Sequence, residues 1–331
     1  MTTIRDIARK AQVSVSTVSL ALNDADRVRP ETRLRVLEVM RKLDYRPSRS
    51  ARSLSSGLTY SIHLLDPLGG QALTSGFLTR FVRGLHDSAK ERSYTVAFSI
   101  VADDGEAATH TETLISERWT DGIVLLNPSD NSALLELMAQ RSFPYVVLGR
   151  DPRGRGLSVD NDNRQVGFDA ARHLIDAGRT SLAFINGARV QTFARDRAEG
   201  FLAAIEEAAA EAGVEGEVYF NEGTPEVAAQ LALEAREAGA NGLLAASDPQ
   251  AVSALRALTA AGVRVPHDIA LMGMNNDAIG EYVDPPLTSM DLSAYELGRE
   301  AASLLLDRVE DPLLPAERRL VPHSIAIRES A

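Results

Sequence analysis

The chain has no cysteine among its 331 residues, which removes disulfide frameworks, thiolate nucleophiles and thiolate metal sites from consideration. Its six histidines, among them His63, His86, His110 and His173, show no metal-ligand spacing, so no metal is expected and His173, in a helical pattern, reads as structural. Enzymatic signatures are also missing. There is no G-x-S-x-G, no H-E-x-x-H, no P-loop and no glycine fingerprint opening the first crossover, so neither a catalytic centre nor a cofactor is expected. No apolar run approaches membrane-spanning length, and the opening "MTTIRDIARK" lacks the apolar core of a signal peptide. The expected location is therefore the cytoplasm, without membrane contact.

What is present is unevenly distributed. The net charge of -11 hides a head, residues 1–57, with 12 Arg or Lys against 6 Asp or Glu, followed by a remainder with 23 against 40. A small basic head on a large acidic body fits a polyanion-binding module joined to a part that must not bind polyanions. Hydrophobic residues make up 44% of the chain, enough to fill a sizeable core at this length.

In the head, Ile4, Ile7, Ala8 and Ala11 follow the i, i+3, i+4, i+7 rule and predict a helix over residues 3–11. Ser14 is a candidate cap for a second helix that carries Val18, Ala21 and Leu22 on its buried side. Two short helices separated by two or three residues make a helix-turn-helix. A third helix starts at Pro30 with Glu31 beside it and is expected to bury Val36, Leu37, Met40 and Leu43. Within "VSVSTVSLALN" this leaves Val15, Ser16, Ser19 and Leu20 on or near the outward side. That face is either an ordinary solvated one or a recognition surface whose short side chains allow close approach to bases. The following "YRPSRSARSLSSGLT" is rich in Ser and Arg and reads as a disordered linker.

From about residue 60, the runs "SIHLL", "TVAFSI", "GIVLL", "YVVL", "LAFI", "GLLAA" and "IALMGM" read as buried strands. They alternate with amphipathic stretches such as Phe77 to Arg92 and Arg195 to Ala212. This order predicts two doubly wound parallel-sheet lobes, with a ligand cleft beyond the carboxyl ends of the strands. Asp160 follows a strand and either faces that cleft or caps the next helix, and Asp248 is open to the same two readings. Phe77 is either a stacking surface for a ring or a core residue.

The segments "TIRDIARKAQVSVSTVSLALN" and "RVRPETRLRVLEVMRKLDYRPSRSARSL" resemble the N-terminus of the lactose/galactose repressor (LacI/GalR) family of bacterial transcription regulators. The body resembles the family's effector domain, itself similar to periplasmic sugar-binding proteins, through "VDNDNRQVGFDAARHLIDAGRTSLAFINGA", "FARDRAEGF", "LLAASDPQAVSALRALTAAGVRVPHDIALMGMNN" and "PPLTSM". The resemblance implies an all-α helix-turn-helix head over residues 1–47, a hinge over 48–59, and a two-lobed α/β effector-binding and dimerisation body over 60–331. It also implies a repressor that binds a palindromic operator as a homodimer or a tetramer and answers to a small molecule, a sugar or sugar derivative. The other readings of the body are a transport-type binding protein and, less favoured, an enzyme on the same fold.

Carried over by that resemblance, Val15 and Ser16 set operator preference, with Ser19 and Leu20 on the same helix. Thr3, Ser14, Thr17, Asn23, Arg27, Arg29, Thr32 and Tyr45 hold the DNA backbone. Ser48 caps a hinge helix, Arg49 and Arg52 approach phosphates, and Leu54 wedges into the minor groove. Arg197 becomes the principal effector contact, with Phe77, Arg150, Asp160, Gln191, Phe193, Ser247, Asp248, Asn275 and Asn276 around it. Four sites depart from the family pattern: Gln12 replaces a common turn Gly, Leu20 a common Arg, Gly149 an acid frequent in sugar-binding relatives, and Asn275 with Asn276 an Asp. Losing the acidic acceptors weakens the case for a plain monosaccharide and leaves room for an anionic or amide-recognised effector.

Overall fold

The computed structural model describes residues 3–23, 27–45, 53, 56–66, 76–126, 128, 132–151, 154, 156–221 and 224–331. The chain divides into two compact units, Met1–Tyr60 and Ser61–Ala331.

In the first unit, α1 (Ile4–Ala11) opens with a capping box. The Thr3 hydroxyl accepts the Asp6 N–H at 3.4 Å while the Thr3 N–H donates to the Asp6 carboxylate at 3.1 Å, satisfying two donors that a helix start leaves open. The helix ends on Gln12 in the left-handed conformation, φ 55°, which explains why glycine suits this position. Helix α2 (Val15–Asn23) starts at Ser14, whose hydroxyl accepts the Thr17 N–H at 3.0 Å, and α3 (Pro30–Lys42) has proline in its first turn. Ile7, Ala8, Ala11, Val18, Ala21, Val28, Val36 and Met40 form the core. One expectation is corrected here: Leu37 is 39% exposed. The core takes the stripe Val36, Met40 and Leu43, and Leu37 lies about 100° around the helix from Val36. The side chain of Leu22 lies outside the described residues.

The second unit contains two six-stranded sheets. In the first, β1 (Ser61–Asp66) lies between β2 (Thr95–Ile100) and β3 (Gly122–Leu126), and the order continues through β4 (Tyr145–Leu148), β5 (Leu157–Asp160) and β11 (Arg318–Leu320). In the second, β6 (Ser181–Asn186) lies between β7 (Glu215–Phe220) and β8 (Gly242–Ala245), followed by β9 (Ala270–Met274), β10 (Thr288–Asp291) and β12 (Ser324–Ala326). Pairing is parallel except between β10 and β12. The seven apolar runs read from the sequence are strands; β5, β7, β10, β11 and β12 are short, polar or at sheet edges and escape such a reading.

The strands β3, β4, β8 and β9 are apolar and almost wholly buried, as strands covered on both faces are. In β6, Leu182 and Phe184 face the helices α7 (Asn163–Asp176) and α8 (Thr192–Ala212), while Ala183 and Ile185 face α9 (Pro225–Glu237) and α10 (Asp248–Ala260). The first sheet is covered on one face by α5 (Asp104–Ser116) and α6 (Ala133–Arg141). The pair α4 (Gly76–Glu91) and α11 (Ala294–Glu310) completes that lobe. The chain passes between lobes after β5, after β10 and between β11 and β12. Among the described residues no helix is long and apolar enough to cross a membrane, and no group of three or more His, Asp or Glu could hold a metal ion.

Candidate functional site

Two surfaces concentrate the residues singled out above. On α2, Val18 and Ala21 are buried, whereas Val15 and Leu20 are 41% and 37% exposed. Ser16 is exposed and Ser19 half-buried. An outward face carrying two aliphatic and two hydroxyl side chains is short enough to sit deep in a groove. Ser14 and Thr17 share a 2.8 Å contact between their hydroxyls at the start of α2, and Thr3 is engaged in its capping box. Arg27 and Arg29 are exposed before α3, Thr32 is half-buried, and Tyr45 packs against the core from the side. The side chain of Asn23, and Ser48, Arg49, Arg52 and Leu54, lie outside the described residues.

In the body, a cavity of about 160 Å³ lies at the carboxyl ends of the strands. Phe77, Asp160, Phe193, Arg197 and Asn275 line it, together with Asn161, Asn163, Leu148, Gly149, Ala246, Leu292 and Leu297. Arg197 is 7% exposed. Its Nε donates to Asn163 Oδ1 at 2.8 Å, Nη1 lies 3.5 Å from Met274 Sδ, and the guanidinium stands 4.9 Å from the Phe193 ring centre. No oxygen acceptor among the described residues reaches its two terminal nitrogens. Burial lowers the guanidinium to about 10, against the pull of Asp160 and Asp196, so it remains charged at neutral pH. Asp160 does not cap the next helix; Asp162 does, accepting the Gln165 N–H at 3.1 Å. The Asp160 carboxylate accepts from Asn163 Nδ2 at 2.8 Å and from Arg318 at 3.0 Å. Burial pushes this carboxyl up and Arg318 pulls it back.

Arg197 owes its position to a close helix contact. A Cβ on Gly167 would stand 2.0 Å from the Arg197 carbonyl oxygen, and one on Gly200 1.8 Å from that of Arg164. The bare backbones let α7 and α8 approach until Asn163 and Arg197 meet.

The other predicted effector residues do not line this cavity. Arg150 pairs with Asp196 at 3.1 Å beside a neighbouring depression. Gln191 holds the N-cap position of α8, and Ser247 caps α10 by accepting the Gln250 N–H at 3.4 Å. Asp248 is fully buried and accepts the Asp277 N–H and, at 2.6 Å, the Ser289 hydroxyl. Asn276 spends its amide on Asp291 at 3.0 Å and Arg328 at 2.7 Å. Asn275 and Asn276 both have left-handed backbones, φ 93° and 53°, which asparagine tolerates better than most residues. The amide-rich wall from Asn161 and Asn163 was missed, although both flank the Asp162 cap within the quoted "VDNDN".

Comparison with known proteins places both units. Residues 3–48 match the model of bacterial regulatory proteins of the lacI family, and residues 171–331 that of a periplasmic binding protein-like domain. The ribose operon repressor of Escherichia coli strain K12 is 32% identical, over 100% of both chains. Among solved structures, a complex of the transcriptional regulator CelR with cellobiose is 28% identical with TM-score 0.76, covering 100% of each chain. The lac repressor dimer bound to operator and an anti-inducer has TM-score 0.80 at 23% identity, over 99% of this chain and 98% of that one, a likeness of fold. The exposed face of α2 and the cavity between two periplasmic-binding-like lobes thus find their common explanation: the chain belongs to the LacI family of DNA-binding transcription regulators and is not an enzyme.

Proposed function

We propose that this protein is a homodimeric repressor that reads a palindromic operator and is controlled by a compact carbohydrate bound between the lobes of its body. The observation that carries the effector class is Arg197, a buried, charged fork that lines the cavity and whose terminal nitrogens meet no oxygen acceptor among the described residues. A planar guanidinium suits vicinal hydroxyls. Phe77 and Phe193 offer apolar ring faces, and Asn275 supplies an amide that both donates and accepts, while the amide nitrogens of Asn161 and Asn163 are spent inside the protein. CelR, of like fold, was solved with cellobiose. One head reads one half-site, so a two-fold operator calls for two copies. Effector binding and operator binding are then linked through the body, a coupling typically worth about 1–3 kcal/mol.

Thermal unfolding against sugars, sugar phosphates, nucleobases and organic acids tests the effector class. A ligand at a hundred times its dissociation constant adds about 2.7 kcal/mol, a shift of a few degrees. A carbohydrate that shifts the parent but not Arg197→Ala supports the reading; a shift confined to nucleobases overturns it. For the head, Leu20→Arg is expected to move operator preference toward guanine at one position per half-site, by about 1–3 kcal/mol. Selection from a randomised duplex library checks this, and an unchanged preference would remove Leu20 from the reading face.

A further inference from the structure

One set of polar contacts borders the cavity and includes the carbonyl of Asn275, one of its lining residues. Arg80, on α4 of the first lobe, reaches the segment that follows β9 in the second. Its Nη1 donates to the Asn276 carbonyl at 2.6 Å, and its Nη2 to the Asn275 carbonyl and, at 3.0 Å, to the Asp277 carboxylate. The second oxygen of that carboxylate accepts the N–H of Gly76, the first residue of α4, at 3.2 Å. A Cβ at Gly76 would stand 2.4 Å from Asp277 Oδ1, so the missing side chain is what lets the positive end of the helix meet the acid.

The second lobe is shaped to offer these acceptors. The left-handed backbones of Asn275 and Asn276 turn two successive carbonyls toward α4, and Asp248 holds the far side of the segment through the Asp277 N–H and the Ser289 hydroxyl. Phe77 follows Gly76, and Asn275 precedes Asn276, so the contact joins two walls of the cavity. The Arg80 side chain is 35% exposed. Contacts of this kind hold only while the lobes stay close, and charge-assisted hydrogen bonds are the stronger sort.

The geometry points to Arg80 as a latch, a positioning residue that holds α4 and Phe77 against residues 275–277 and so sets the width of the cavity. This rests on the reading of the cavity as the effector site, and its test needs no effector. The chain has no cysteine, so nitroxides go onto Ala102→Cys after β2 and Val190→Cys after β6, both exposed. Pulsed electron resonance on labelled chains diluted into unlabelled protein reads the lobe-to-lobe distance without ligand. The parent is expected to give one dominant distance, Arg80→Ala a longer and broader distribution, and Arg80→Lys one between them. Asp277→Asn broadens it too and carries the test if Arg80→Ala fails to fold. A distribution for Arg80→Ala that superimposes on the parent, with or without a lower urea midpoint, overturns the latch. Distances that respond in a protein whose melting no sugar shifts would leave the latch standing and remove the carbohydrate reading.

Discussion

Each lobe of the body draws one helix pair together through glycines, and the two pairs deliver different chemistry to the cavity between them. In the first lobe, Cβ atoms on Gly84 and Gly298 would stand 1.9 and 2.0 Å from the carbonyl oxygens of Tyr295 and Phe81, so α4 and α11 touch along bare backbone. That pair contributes Phe77 and Leu297 to the cavity, both apolar. In the second lobe the Gly167 and Gly200 contact between α7 and α8 contributes Asn163 and Arg197, both polar, together with the Phe193 ring. One packing device, used twice, therefore brings only apolar side chains from the first pair and the charged Arg197 beside a ring from the second, as a sugar with its two kinds of surface requires.

The comparison can be pressed hardest at Asp248, a fully buried carboxyl in the second lobe that burial pushes up to about 7 despite donors from Ser289 and Asp277. The folded state binds this proton more tightly than the unfolded chain does. The group's contribution is therefore fully present below the unfolded value of 3.8 and is lost as pH rises through about 7. The loss amounts to roughly 4 kcal/mol. Urea unfolding of the parent and Asp248→Asn at several pH values should show the gap between them changing across that window; parallel curves would mean Asp248 does not titrate there.

Next in size are the glycines. Gly167→Ala and Gly84→Ala should each cost about 1–3 kcal/mol or more through overpacking. Only the first also displaces the backbone of Arg197, so only Gly167→Ala should blunt the effector-induced melting shift beyond its cost in stability. Equal blunting by both would show that the two helix pairs position the site alike. The smallest effect is the reverse exchange in the head. Gln12 occupies a left-handed position that glycine adopts without strain, and Gln12→Gly should raise the head's stability by about 0.5–1 kcal/mol. Hydrogen exchange of the α1 and α2 amides reads this directly.

The sequence pattern carried the head almost whole. Helix spacing, the Ser14 cap and Pro30 are local signals, and local signals are read from neighbours in the chain. Leu37 was misplaced because an apolar residue beside a buried stripe looks the same as one within it. In the body seven strands are legible as apolar runs, among them the edge strand β2, whereas short polar strands such as Arg318–Leu320 carry no such run. Of the residues the sequence offers as effector contacts, Arg197, Phe193, Asp160, Phe77 and Asn275 line the cavity, whereas the side chains of Ser247, Asp248 and Asn276 serve a cap, a clamp and a loop.

What the sequence determined by itself is therefore the charge-divided architecture, the helix-turn-helix, the alternation of strand and helix, and the absence of catalytic or metal chemistry signatures. Each follows from residue type and short-range period. The tertiary structure alone decided which polar residues after the strands face the cavity and which are consumed in holding one another. That choice depends on which distant residue completes each hydrogen bond: Arg318 for Asp160, Ser289 for Asp248, Arg328 for Asn276. A buried polar group must find a partner, and a partner 158 residues away in the chain, as Arg318 is for Asp160, leaves no periodic mark.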